Sequence, residues 1–172
     1  MKETDVASYN WDRYPHPSVT ADLAIFAVRT EPALSTRRML PDRTFEILLV
    51  RRGGYPYQHC WALPGGFSHP GERLLDTARR ELQEETGLAN VYVESLGLYD
   101  APQRDPRGWV ISSAYYALVK GQPPAVAGGD DADDAQWVPV DAVLAWPEGQ
   151  IEGNTPDGRR WPSITTWCST MP

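Results

Sequence analysis

Gly66-Phe67-Ser68-His69-Pro70-Gly71-Glu72, continued at Arg80-Glu81-Leu82-Gln83-Glu84-Glu85-Thr86-Gly87-Leu88, is the stretch on which the reading of this chain turns. It reads as a glycine loop feeding a helix. At about 100° per residue, Glu81, Glu84 and Glu85 fall within one arc of about 100°, because positions i, i+3 and i+4 are neighbours on a helix surface. Three clustered carboxylates repel one another unless a positive charge sits over them, and a hard divalent cation with oxygen ligands, Mg²⁺ or Mn²⁺, meets that need. Leu74, Leu75, Ala78 and Leu82 form an apolar stripe beside the acidic one, which puts the carboxylates at the rim of a cleft. Gly87 stands where a left-handed residue ends a helix, Pro70-Gly71 supplies a tight turn before it, and Arg80 reaches Glu84 at i+4.

The spacing of Gly66, Glu72, Arg80-Glu81-Leu82, Glu84-Glu85 and Gly87-Leu88 resembles the signature box of the Nudix hydrolases with every position filled. That family hydrolyses nucleoside diphosphates linked to another moiety. The resemblance implies an α/β fold, a Nudix-type α/β/α sandwich with a mixed sheet. It also implies metal ligation by Glu81, Glu84, Glu85 and the backbone carbonyl of Gly66. Glu72 begins the helix outside the acidic arc and reads as a partner of Arg80 or an outer-sphere ligand. For the general base, one of the three glutamates serves, Glu84 first because it lies between its neighbours in chain order. The alternative is an acid from the cluster Asp130, Asp131, Asp133 and Asp134, since related enzymes bring a carboxylate from the corresponding loop over the substrate; a solvated acidic turn is the other reading of that run.

Length and composition agree with one compact domain: 172 residues, 41% hydrophobic and 23% charged, with no apolar run long enough to cross a membrane. A net charge of −7 and a pI near 4.9 argue against a nucleic-acid partner. Cys60 and Cys168 are the only cysteines and Met1 to Tyr14 lacks an apolar signal core, so the expectation is a cytoplasmic protein with free thiols.

Period-two burial predicts a strand over Val19 to Arg29 through Ala21, Leu23 and Ile25. Further strands are expected at Phe45 to Arg51, Trp61 to Leu63, Val91 to Leu98, Trp109 to Leu118 and Gln136 to Val140. Pro123 to Asp134 reads as a mobile loop and Asp141 to Trp146 as the start of a helix. The expected partition is an N-terminal arm over 1–18, the Nudix-like domain over 19–146 and an irregular segment over 147–172. Relatives close the sheet with a long C-terminal helix that this chain does not spell out. Trp146, Trp161, Trp167 and the arm residues Tyr9, Trp11 and Tyr14 then leave apolar surface that a homodimer would bury.

Substrate class rests on residues outside the box. Gln103-Arg104-Asp105-Pro106-Arg107-Gly108 lies between two strands, and Arg104 and Arg107, fixed by Asp105 and a proline, suit bidentate contacts with phosphate or a terminal ribose. The bland reading is a charged hairpin loop. This loop and Pro102 resemble the corresponding segment of ADP-ribose pyrophosphatases. Arg52 is a candidate phosphate contact, and Tyr57 or Tyr55 a candidate platform for adenine, although such aromatics are more often core residues. The expected substrate is a small nucleotide, ADP-ribose before a nucleoside triphosphate of the 8-oxo-dGTP type. An ADP-ribose-sensing regulator is a third reading, and the acidic balance and the roughly thirty residues after Val140 weigh against it.

Overall fold

The computed structural model describes residues 10–31, 42–55, 58–102, 104–105, 107–129 and 132–145, with the backbone of 153–154 and 160–161. After a 3-10 turn at Trp11–Arg13 come β1 (Ser18–Thr30), β2 (Arg43–Arg52), β3 (Trp61–Ala62), β4 (Gly65–Phe67), α1 (Leu74–Thr86), β5 (Glu94–Tyr99), β6 (Val110–Val119), β7 (Ala132–Pro139) and α2 (Val140–Leu144). A separate two-stranded pairing joins β8 (Gly153–Asn154) to β9 (Arg160–Trp161). Among the described residues no helix is long and apolar enough to cross a membrane.

Seven strands form one open, mixed sheet around β1. β1 is long enough to serve two partners on one edge, β4 along Thr20–Asp22 and β2 along Phe26–Thr30, both antiparallel. Along its other edge it pairs in parallel with β6 from Ser18↔Val110 to Ala27↔Val119. β5 then adds to β6, and β3 and β7 add to β2. With neighbours on both edges and chain over both faces, β1 departs from the alternation expected of it: every residue from Thr20 to Ile25 is buried.

One face of the sheet takes α1. Ala21, Leu23 and Ile25 of β1, Leu48 and Val50 of β2 and Ala135 of β7 pack with Ala78 and Leu82 of the helix. The alternate residues of β2, Ile47 and Leu49, face the opposite way and gather Trp61, Leu63, Val138 and Val143 of α2. Helices thus lie on both sides of the sheet, the α/β/α arrangement expected from the signature. α2 is the expected helix after Val140, and the expectation about a closing helix over 147–172 falls, like Trp146 and Trp167, outside the described residues. β7 begins at Ala132, earlier than the sequence pattern placed it. The segment before it, over 123–129, touches both β7 and α1. Trp137 Nε1 donates to the Pro124 carbonyl at 2.8 Å, and a Cβ on Gly129 would lie 2.4 Å from the Glu84 carbonyl oxygen.

Leu82 is 2% exposed at the centre of the α1 face, whereas Leu144 is 76% exposed. Leu82→Ala should therefore lower unfolding stability by about 3 kcal/mol in a denaturant titration, and Leu144→Ala by less than about 0.5 kcal/mol.

Candidate active site

α1 starts after Arg73, whose own side chain does not cap it. Glu72 orders the turn before it instead: Oε2 accepts from the His69 backbone N–H at 3.0 Å and from the Thr77 hydroxyl at 2.9 Å. The helix ends at Gly87, φ 74°, whose N–H bonds the Gln83 carbonyl. Between these ends Glu81 and Glu85 project toward β4, and Glu84 turns to Arg80.

Arg80 organises them. Its guanidinium grips Glu72 through Nε to Oε1 at 2.9 Å and Nη2 to Oε2 at 3.1 Å. It also donates to Glu81 at 2.7 Å, to Glu84 at 2.9 Å and to the Phe67 carbonyl at 3.1 Å. The grip of Arg80, aided by the His69 N–H, holds the Glu72 carboxyl down at about 2, and the bonds to Glu72 first, then to Glu81 and Glu84, push the Arg80 pKa up.

Glu81 and Glu85 press on the glycine loop. A Cβ on Gly66 would lie 2.4 Å from Glu81 Oε1, so this position admits only a glycine while Glu81 keeps its place. Glu85 Oε2 accepts from the Gly65 N–H at 2.9 Å. Burial raises the pKa of both. For Glu81 Arg80 opposes the rise; Glu85 reaches about 8 against the pull of the Gly65 N–H and Arg52. Glu84 is the more solvent-facing, its side chain 39% exposed against 14% for Glu81.

As a donor set this fits a hard divalent cation: carboxylate oxygens around a backbone whose glycine leaves them room to approach. In the conformation described, Arg80 takes the counter-charge role. Among the described residues, no three acidic, histidine or cysteine side chains are gathered closely enough to hold a metal as they stand.

The arginine loop comes alongside. Arg107 clasps the buried Asp105 carboxylate through Nε at 2.9 Å and Nη2 at 2.7 Å, which with the backbone N–H of Arg107 holds the Asp105 carboxyl below its usual range. The Arg107 guanidinium lies 5.2 Å from the centroid of the Phe67 ring. Phe67 thereby touches both the arginine loop and, through its carbonyl, Arg80. Arg104 is half-buried in the same loop. Arg52, at the end of β2, is near enough for its charge to act on Glu85.

Other candidates fall elsewhere. Tyr57 and Asp131 lie outside the described residues, and Tyr55 is 94% exposed. Asp134, expected in a free loop, is a residue of β7 opposite Arg51, because strand pairing with β2 extends through it. Its carboxylate accepts from the Ala135 N–H at 2.8 Å and from Gln136 at 2.9 Å, and it belongs to the strand. Asp133 meets His59 at 2.8 Å. Sequence reading passed over Asp22, a buried carboxylate on β1 that accepts from the Ser112 hydroxyl. The signal available was a charge inside the apolar run Ala21-Asp22-Leu23-Ala24-Ile25.

A family model described as NUDIX domain matches residues 34–157. An ADP-ribose pyrophosphatase of Methanocaldococcus jannaschii is 38% identical over 137 residues, 80% of this chain and 69% of that protein. The ADPR responsive transcriptional repressor NtrR of Acinetobacter baylyi is 36% identical over 116 residues, and the chain spans only 42% of its length. Among solved structures, the NUDIX domain of Shewanella oneidensis NrtR complexed with ADP ribose superposes with a TM-score of 0.69 at 28% identity, covering 86% of this chain and 89% of that one.

The raised Glu85 pKa has a consequence for the metal-free protein. A carboxyl at about 8 in the folded chain and near 4.5 when unfolded binds an extra proton only when folded, so its contribution to stability is complete below about 4.5 and is lost as pH rises through about 8. Glu72, held down at about 2, contributes with the opposite sign and only up to the acid edge of that window, near its ordinary value of 4.5. With metal chelated, the unfolding midpoint should fall between pH 5 and 8.5, and Glu85→Gln should flatten that fall; an equal slope in both proteins would refute the assignment.

Proposed function

The chain belongs to the Nudix family, and from that premise we propose that it hydrolyses the pyrophosphate bond of a nucleoside diphosphate derivative, ADP-ribose, to AMP and ribose 5-phosphate. The observation that carries this reading is Phe67: its ring lies under Arg107 and its carbonyl is held by Arg80, so a cationic phosphate-binding loop stands directly beside the acidic helix. Similarity to the M. jannaschii pyrophosphatase and to an ADP-ribose-bound NUDIX domain supports the choice of substrate. Residues 19–146 are taken as the catalytic domain.

Glu81, Glu84, Glu85 and the Gly66 carbonyl are the proposed holders of Mg²⁺ or Mn²⁺, which when bound neutralises phosphate charge and lowers the pKa of an attacking water. Glu84, the more exposed carboxylate, takes the proton from that water. Arg80 keeps Glu84 and Glu81 aimed at the loop, and Glu72 keeps Arg80 in place. Arg104, Arg107 and Arg52 bind the phosphates and ribose by directed N–H donors. Tyr57, Asp131 and Asp134 remain proposed contributors.

A panel of ADP-ribose, NADH, diadenosine polyphosphates, sugar nucleotides and 8-oxo-dGTP tests the reading. ADP-ribose should be the best substrate, and faster hydrolysis of 8-oxo-dGTP would replace it with the triphosphate alternative. Similarity to the A. baylyi repressor supports a second reading, a sensor, which predicts ADP-ribose binding without turnover.

Glu84→Gln and Glu85→Gln should each lower kcat by at least about a hundredfold with the fold intact by circular dichroism, because each removes a ligand that stabilises transition-state charge. Near-normal turnover in either variant would sink the metal-site proposal.

The proposal includes a cytoplasmic homodimer that excludes membrane and nucleic acid as partners. On the face opposite α1, Phe26 and Phe45 stack at 5.0 Å between centroids, with Phe45 47% and Leu118 64% exposed, an apolar surface of the kind association buries. Light scattering at micromolar concentration should give twice the 19.2 kDa chain mass, and a value of one chain would defeat the dimer.

A further inference from the structure

Asp22 sits where an apolar strand has no need of a charge. It is 8% exposed on the central strand, and a carboxylate so placed is costly unless hydrogen bonds and opposite charges compensate it. Three neighbours supply what it requires. Ser112, on the adjacent parallel strand β6 opposite Thr20, donates its hydroxyl to Oδ2. Gly65, its partner on β4, leaves space: a Cβ there would lie 2.8 Å from both Oδ1 and the Cα of Asp22, so this glycine lets the carboxylate pack against the start of the metal loop. The third is the arginine loop, which comes over this face of β1: Arg107 lies on the Phe67 ring, and Phe67 is the β4 partner of Thr20, two residues before Asp22. Burial lifts the Asp22 pKa to about 6, and after the Ser112 bond the charges of Arg104 and then Arg107 are what hold it down, with Asp105 opposing.

These charges balance. Arg104 and Arg107 together carry two positive charges, and Asp105 and Asp22 carry two negative ones. Arg107 is bound bidentately to Asp105 within the loop. Asp22 is the balancing anion that comes from the sheet, and it belongs to the same strand that pairs with Gly65 and Gly66.

We propose that Asp22 is a positioning residue, whose carboxylate, seated between Ser112 and Gly65, anchors Arg104 and so fixes the arginine loop at one distance from the metal loop. The idea rests on the proposed hydrolase reading only for its choice of ligand. Its physical content is that the phosphate-binding cations and the acidic helix keep their spacing through a buried anion on the strand that joins them.

Asp22→Asn preserves shape and an acceptor for Ser112 while removing the charge. KM for ADP-ribose should rise about tenfold with kcat changed less than about threefold, the split expected when ligand binding is disturbed and the chemistry is not. In an Arg104→Ala background the same substitution should have little further effect, because a residue acting through Arg104 has nothing left to act through. An unchanged or lowered KM, a fall in kcat alone, or equal effects in both backgrounds would overturn the proposal. Should Asp22→Asn fail to fold, as judged by thermal melting, Ser112→Ala leaves the charge and frees its orientation; a KM rise of about threefold supports the anchor and no change overturns it. Equilibrium titration of ADP-ribose with metal chelated separates the two readings. Wild-type protein that binds ADP-ribose under chelation but does not turn it over once Mg²⁺ or Mn²⁺ is restored defeats the hydrolase reading, and a variant that binds as tightly as wild type under chelation defeats the anchor. If wild type neither binds nor cleaves ADP-ribose, the same cycle is read on the nucleotide of the panel it does hydrolyse, and loss of coupling between Asp22 and Arg104 there overturns the proposal.

Discussion

Five groups meet on the guanidinium of Arg80: both oxygens of Glu72, one oxygen each of Glu81 and Glu84, and the carbonyl of Phe67. Without a cation the acidic arc of α1 would open by self-repulsion, and Arg80 is that cation within the chain. Its planar fork spans three carboxylates and a carbonyl at once, which an ammonium on a flexible stem does not do. The same contacts tie the helix to β4, so the electrostatics of the site and the docking of α1 are one arrangement. Glu72 has a structural share in it, ordering the turn that aims the helix while it holds Arg80 in place.

β1 is the mechanical counterpart of Arg80. It carries β4 on one edge and β6 on the other, so the glycine loop and the strand that follows the arginine loop are both hydrogen-bonded to the same strand. Two loops distant in sequence keep a fixed separation because a sheet edge is a rigid ruler. A buried carboxylate on that strand couples to both sides, which a side chain on either loop alone could not do.

The similar proteins comprise one described as a pyrophosphatase and one described as a repressor, both related through the domain found here. Binding a nucleotide and cleaving it draw on different parts of this geometry. In the proposed function the arginine loop and Phe67 serve recognition, while the three carboxylates serve hydrolysis. This chain has both sets on adjoining elements, and that is why the hydrolytic reading is preferred over sensing alone.

Much of the site was legible in the sequence because its decisive contacts are local. The acidic arc, the Arg80–Glu84 contact, the Arg80–Glu72 pairing and the left-handed Gly87 all follow from 3.6 residues per turn and short sequence separation. The α/β/α class followed from the signature, and six of the seven strands of the main sheet were placed to within a few residues; β4, read as a glycine loop, was not, because its three residues become a strand only by pairing with β1. What stayed hidden was non-local. Asp22 meets Ser112 only because β1 and β6 are parallel in one register, and Phe67 lies under Arg107 only because β4 pairs with the start of β1. Asp134 looked like part of a solvated acidic turn until pairing with β2 drew it into β7. Helical periodicity is fixed by the chain itself, whereas register between strands is settled by which faces of the sheet find burial. The sequence by itself therefore determined which groups stand on the acidic helix and that they call for a positive charge over them; only the tertiary structure decided which buried anion and which aromatic ring stand beside the second loop.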